Sequence, residues 1–188
     1  LNAFKERLEM ELAKIRKFKL FWAWQDEKEE AWLRSMAQQG WELICPEFPC
    51  FYTFQEAEPC DMVYRLDFIT SKIDREEYYQ LFNDAGWEHV GEMMSWQYFR
   101  KEAEPGEDPE IYTDPESKIQ KYYRLFGVML IFLPIWVILL PRLDTMAFYG
   151  LNFLIPIFIP ITLLWGYAFL RIGLRIRELN QLRLSSKK

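Results

Sequence analysis

The sequence predicts an α+β domain built from two strand-helix-strand-strand repeats with antiparallel sheet, followed by a two-helix transmembrane hairpin. Three observations predict it: self-similarity at an offset of 46 residues, alternating apolar patterns inside each copy, and two long uncharged runs near the C-terminus. Averaged over 188 residues the chain is 51% hydrophobic, 27% charged and 18% aromatic, with a net charge of -5, which describes an ordinary soluble domain. The average hides a segregation, because residues 125–170 hold only two charged side chains, Arg142 and Asp144. The aromatic content excludes disorder, collagen and a coiled coil, and the apolar block excludes a wholly soluble globule.

Residues 1–17 form an N-terminal extension that is charged throughout and lacks the apolar h-region of a signal peptide. Phe4, Leu8, Leu12 and Ile15 fall on one side of an amphipathic helix there, and Met10 is a candidate initiator. The duplicated domain is expected at 18–105, with repeats 18–59 and 64–105. Gly40-Trp41-Glu42 recurs as Gly86-Trp87-Glu88, and Glu56-Ala57-Glu58-Pro59 recurs as Glu102-Ala103-Glu104-Pro105. At the same offset Leu20 matches Leu66, Trp32 matches Tyr78, Met36 matches Phe82 and Tyr52 matches Tyr98.

Each copy opens on a strand, at 18–24 and 62–69, where apolar and polar residues alternate. The first helix has Asp26 and Glu29 in capping-box spacing, Trp32, Leu33, Met36 and Ala37 on one face, and Gly40 at its end. The second has Asp74 and Glu77 as caps, Tyr78, Leu81, Phe82 and Ala85 inward, and Gly86 as its stop. Strands follow at 41–48, 50–56, 87–93 and 95–101, joined by short turns at Pro49 and Met94.

Helices on one face of a sheet leave the other face polar in a half-solvated arrangement. The pattern here departs from that, with 19 aromatics among residues 18–101. Phe21, Trp22, Trp96, Tyr98 and Phe99 place aromatics on both faces, so a second cover is expected: the paired repeat, a second subunit, or an apolar ligand in the groove between the copies. Glu42 and Glu88 hold equivalent strand positions, and pseudo-two-fold packing would bring their carboxylates to one cleft as ligand contacts or an acid/base pair. The simpler reading of each is a solvent-facing residue. His89 is the sole histidine and no Ser or Cys stands in nucleophile context, so no catalytic constellation and no cofactor is expected. Cys45, Cys50 and Cys60 match no zinc or CxxC spacing, so no metal site is expected from them.

Residues 106–121 form an acidic, proline-punctuated loop and juxtamembrane linker in which Asp114 or Ser117 caps the next helix. Glu107, Asp108, Glu110 and Asp114 lack EF-hand spacing. The transmembrane hairpin is placed at 122–170, with runs 125–141 and 146–170 joined by a turn at 142–145. Pro134, Pro156 and Pro160 free backbone carbonyls inside it, for which the partner helix or Thr162 would compensate. Asn152 is an interhelical hydrogen-bonding residue, and the lack of ionisable groups argues against a channel or pump. Arg124, Trp136, Trp165, Arg171, Arg175 and Arg177 are the expected membrane anchors. Basic flanks put both termini in the cytoplasm, leaving residues 171–188 as a basic cytoplasmic tail on anionic lipid. Residues 1–124 carry 16 basic and 26 acidic side chains, a net of -10 that excludes nucleic acid as a partner.

Trp32 with Met36-Ala37 before Gly40-Trp41, then Tyr64-Arg65-Leu66-Asp67-Phe68, Gly86-Trp87-Glu88, Trp96-Gln97-Tyr98-Phe99-Arg100-Lys101, and Ile111-Tyr112-Thr113-Asp114 with Ser117-Lys118, resemble a bacterial membrane family called domain of unknown function 2812. The resemblance covers roughly 18–125. It implies a cytoplasmic domain followed by membrane helices, often encoded near PadR-type transcriptional regulators, and brings no activity or catalytic residues. The layout of tandem strand-helix-strand-strand modules is also similar to that of gyrase-inhibitor-like drug-binding domains, whose groove holds apolar molecules. The expected function is therefore a membrane-anchored sensing or interaction module with a hydrophobic ligand, a protein partner or a homodimer mate. The alternative is a structural subunit of a membrane complex with no small ligand.

Overall fold

A computed structural model describes residues 13–69, 74–103, 109–111, 115–139 and 155–186. Two compact units divide the chain, Leu1–Thr113 and Asp114–Lys188. In the first, the order is β1 (Lys14–Phe18), α1 (Asp26–Ala37), β2 (Trp41–Glu47), β3 (Phe51–Glu56), β4 (Met62–Phe68), α2 (Arg75–Asp84), β5 (Glu88–Met93) and β6 (Trp96–Glu102). Two three-stranded antiparallel sheets result, ordered β1-β3-β2 and β4-β6-β5.

The first strand lies earlier than the sequence predicts. β1 runs over Lys14–Phe18, and residues 19–25 form the connection to α1, with a turn at Ala23-Trp24. Residues 14–17 thus belong to the sheet rather than to an amphipathic extension, whose remaining positions 1–12 lie outside the described residues. Pairing explains the shift: Phe18 stands opposite Phe51, as Phe68 stands opposite Trp96. Phe18 is therefore level with Phe68, and not with Tyr64 as the offset of 46 implies.

Both helices stop where expected. Gly40 and Gly86 have φ of +81° and +80°, a left-handed conformation that glycine adopts without steric cost. At Gly40 a Cβ would also meet the Ala57 carbonyl oxygen at 3.0 Å. The starts differ from each other. Asp74 caps α2 by accepting from the backbone N–H groups of Glu76 and Glu77 at 3.0 and 3.5 Å. No side chain caps α1, whose N-cap is Gln25, so the expected capping box of Asp26 and Glu29 does not form.

The two helices also carry different loads. Leu33, Met36 and Ala37 of α1 share one core with Leu43, Tyr52 and Phe54 of the first sheet and Tyr64, Leu66 and Tyr98 of the second. Trp32 packs edge-on against Tyr52 and Phe54. α2 buries only Tyr78 and Phe82, against Val63, Phe99 and Trp87. Leu81 and Ala85, expected inward, are exposed. The second sheet is thus covered on both faces, and β4 is buried from Val63 to Phe68. The free edge of β4 is met by α1, where Glu30 accepts from the Leu66 N–H at 2.9 Å. The outer face of the first sheet is instead mixed, carrying the Arg16–Glu47 pair and Thr53 beside the paired rings of Phe18 and Phe51, of which Phe18 is exposed. Of the expected second covers, the paired repeat is the one that covers the second sheet.

In the second unit, α3 (Pro115–Leu139) and α4 (Ile155–Ser186) pack against each other, with the rings of Phe126 and Phe169 4.4 Å apart. Within α4, Pro156–Gln181 is long and apolar enough to cross a membrane, with a mean hydropathy of 1.7. The basic tail is continuous with this helix as far as Ser186. Arg124 and Trp165 are half-buried, Arg175 pairs with Glu178 at 2.9 Å, and Arg171 and Arg177 are exposed. Thr162 donates to the Phe158 carbonyl at 2.8 Å, so its hydroxyl does not serve the Pro156 carbonyl that Pro160 frees. The turn at 142–145, Asn152 and the side chain of Trp136 lie outside the described residues.

Candidate functional site

A cavity of about 150 Å³ opens between the two repeats, at the N-terminal end of α1. The first copy contributes Phe21, Trp22 and Ala23 from the β1–α1 connection, Asp26 and Glu29 from α1, and Pro49 and Cys50 from the β2–β3 turn. The second contributes Leu66, Met93, Met94, Trp96 and Tyr98. Four of the sequence-predicted ligand residues, Phe21, Trp22, Trp96 and Tyr98, therefore meet at one place. Trp22 stacks on Trp24 with the rings nearly parallel at 5.5 Å, and Trp96 packs edge-on against Phe68 at 5.3 Å.

Phe99 is not with them. It faces α2, between Phe82 and Tyr78, because neighbouring residues on a strand point to opposite faces. Glu42 and Glu88 also lie elsewhere. Arg100 stands between them, paired with Glu42 on one side and held by Glu88 through Nε at 2.8 Å and Nη2 at 2.9 Å. The packing does bring the equivalent carboxylates together, yet a half-buried guanidinium occupies the space where their repulsion was expected. His89 Nε2 lies 3.0 Å from Gln97 Oε1 and its ring lies against Tyr79 at 4.3 Å, where burial pushes its pKa below the ordinary value.

The polar end of the cavity is Glu29. Only 6% of this residue is exposed, and the hydroxyls of Tyr52 and Tyr98 both donate to its Oε1, Tyr52 at 2.7 Å. Burial pushes both phenols well above their ordinary pKa, so they stay protonated and act as donors. Burial also raises the Glu29 carboxyl above the usual carboxylate range, against the opposing pull of the two tyrosine bonds. Asp26, 3% exposed, sits one helical turn earlier and adds to that rise. Both acids lie in the first turn of α1, where the positive end of the helix dipole favours negative charge.

Asp26, Glu29, Cys50, Leu66, Met93 and Met94 were missed as site residues. A signal for Glu29 exists in the sequence: it lies four residues before Leu33 and seven before Met36, an acid on the apolar stripe of its helix. Cys45, Cys50 and Cys60 are free thiols, and among the described residues no three His, Cys, Asp or Glu side chains come together as a metal site. Glu110, considered for a cation site, pairs with Arg65 Nε at 3.0 Å.

A family model described as "Protein of unknown function (DUF2812)" matches residues 25–134. No curated protein and no solved structure matches the chain.

Proposed function

The chain belongs to the DUF2812 family, and from that premise we propose that it is a membrane-anchored cytoplasmic sensing module whose repeats hold a hydrophobic small molecule between them. The observation that carries this reading is the aromatic cavity, built from both copies and lined by Phe21, Trp22, Trp96 and Tyr98. Anchoring is supported by the apolar stretch Pro156–Gln181, by exposed Ile131, Val137 and Ile138 on α3, and by the basic residues at the end of α4. In this reading α3 and α4 form a hairpin with both termini in the cytoplasm, and ligand occupancy is passed to a PadR-type regulator.

Titrating the purified full chain with small phenolics and hydrophobic antibiotics while recording tryptophan fluorescence tests the ligand reading. A saturable shift that is lost in Trp96→Ala is the expected result, and no shift with any compound contradicts it. A second reading, a complex subunit without a small ligand, is favoured by the exposed side chains of Phe18, Leu20, Phe48 and Met94. Detergent extraction of the native protein with a stoichiometric partner, together with an inert cavity, would select that reading.

A further inference from the structure

The cavity's own chemistry narrows what it takes. Among the described residues its lining contains two carboxylates, Asp26 and Glu29, and no Lys, Arg or His. Lys19, close in the chain to this lining, lies over the rings of Phe21 and Trp32, at 5.2 and 4.5 Å from their centroids. Glu29 uses a single oxygen, Oε1, for both tyrosine hydroxyls. No donor to its Oε2 is present among the described residues, and the residue, 6% exposed, lines the cavity. A carboxylate oxygen that faces so enclosed a cavity gains a charge-assisted hydrogen bond from any cationic donor that arrives with a ligand.

The same cavity is lined by the rings of Trp22, Trp96, Tyr98 and Phe21. Aromatic faces attract cations, and more strongly where water is excluded. A neutral apolar molecule would gain from the rings and nothing from Oε2, and an anion would be repelled by both acids. Size sets a second limit. Sites for drug-sized ligands measure roughly 300–1,000 Å³, whereas an apolar cavity of about 150 Å³ accepts a molecule the size of benzene. At about 150 Å³ this one matches a single ring.

Resting on the reading of the groove as a ligand site, we propose that its occupant is a one-ring organic ammonium ion. The ring lies among Trp22, Trp96 and Tyr98, and the charged nitrogen donates to Glu29 Oε2. Glu29 is then the residue that discriminates charge, and Tyr52 and Tyr98 hold its carboxylate in place.

Calorimetric titration of the purified full chain with three ligands of one shape tests this: benzylammonium, benzyl alcohol and benzoate, at neutral pH. Benzylammonium is expected to bind at least tenfold more tightly than benzyl alcohol, and benzoate not measurably. In Glu29→Gln the affinity for benzylammonium should fall at least fivefold, with that for benzyl alcohol within twofold of the parent. Benzyl alcohol binding as tightly as benzylammonium overturns the charge assignment and leaves the ligand site standing. Binding of none of the three overturns both readings. An unchanged preference in a folded Glu29→Gln overturns the role of Glu29. If that variant fails to melt cooperatively, the comparison of ligands on the parent chain decides the proposal, with Asp26→Asn as the second variant.

Discussion

The two repeats share a pattern of elements but not a role, and the difference starts at one turn. β2 and β3 are joined by three residues, Phe48 to Cys50, and β5 and β6 by two, Met94 and Ser95. Pro46 pairs with Tyr52, and its counterpart Glu92 pairs with Gln97. Tyr52 is therefore level with Gln97, and Tyr98, its match by sequence, sits one residue on. On a strand, one residue reverses the face. Tyr52 points to its own helix α1, while Tyr98 points away from α2 and also reaches α1, so both hydroxyls converge on Glu29. The shorter turn in the second copy thus turns a repeated tyrosine into the second half of a carboxylate clasp. It also leaves α1 serving two sheets and α2 serving one.

That asymmetry can be attacked from several sides. The largest effect is expected from the helices. Leu33 in α1 is 0% exposed, and Leu33→Ala should cost about 2–5 kcal/mol through the lost contacts and the cavity left behind. Leu81 in α2 is 66% exposed, and Leu81→Ala should change stability by no more than about 0.5 kcal/mol. Denaturant titration of the full chain measures both, and equal losses would break the distinction.

The paired glycines come next. Gly86→Ala should cost roughly 1–2 kcal/mol for the left-handed backbone alone. Gly40→Ala should cost more, because its Cβ also meets the Ala57 carbonyl while that of Gly86 meets only the flexible end of Lys101. Melting temperatures of the two variants rank them. The helix starts give a smaller contrast: Asp74→Ala should lose about 1 kcal/mol of capping, and Gln25→Ala, which removes no cap bond and only an exposed acceptor for the Trp22 N–H at 3.1 Å, should lose less.

The pH response isolates the clasp. With its pKa raised by burial, folded Glu29 binds more protons than the unfolded chain between the ordinary carboxylate value and its own. Its contribution is therefore fully present below the unfolded pKa and is lost as pH rises through the folded one. Melting curves across that interval should show a decline that Glu29→Gln removes. An identical decline in the variant would assign it to another group.

Much of this organisation was legible in advance. The alternation in β2 to β6, the stripe of Trp32, Leu33, Met36 and Ala37, and the stops at Gly40 and Gly86 all follow from local backbone and packing rules, and local rules leave their mark on sequence spacing. What escaped was set by pairing between distant segments. The alternation at Phe18–Trp24 is as strand-like as that of a true strand, but β3 pairs with Lys14–Phe18 instead. Four of the seven expected ligand residues were placed together, because aromatics on both faces signalled a second cover. Glu88 is largely solvent-facing, the simpler reading of these glutamates, and both Glu42 and Glu88 pair with Arg100, which comes from a different strand and left no trace in their spacing. Asp26 and Glu29 fit a capping motif and also fit an acidic floor, and only their tertiary neighbours separate the two.

A ligand site between the repeats is tested most sharply by the indole N–H signals of the eight tryptophans during addition of benzylammonium to the full chain. Trp22 and Trp96, which line the cavity, are expected to shift with saturation, and Trp24 with them through its stack on Trp22. Trp32, Trp41, Trp87, Trp136 and Trp165 should stay in place. Shifts confined to Trp136 and Trp165, or no shift at Trp22 and Trp96, would contradict a ligand site between the repeats.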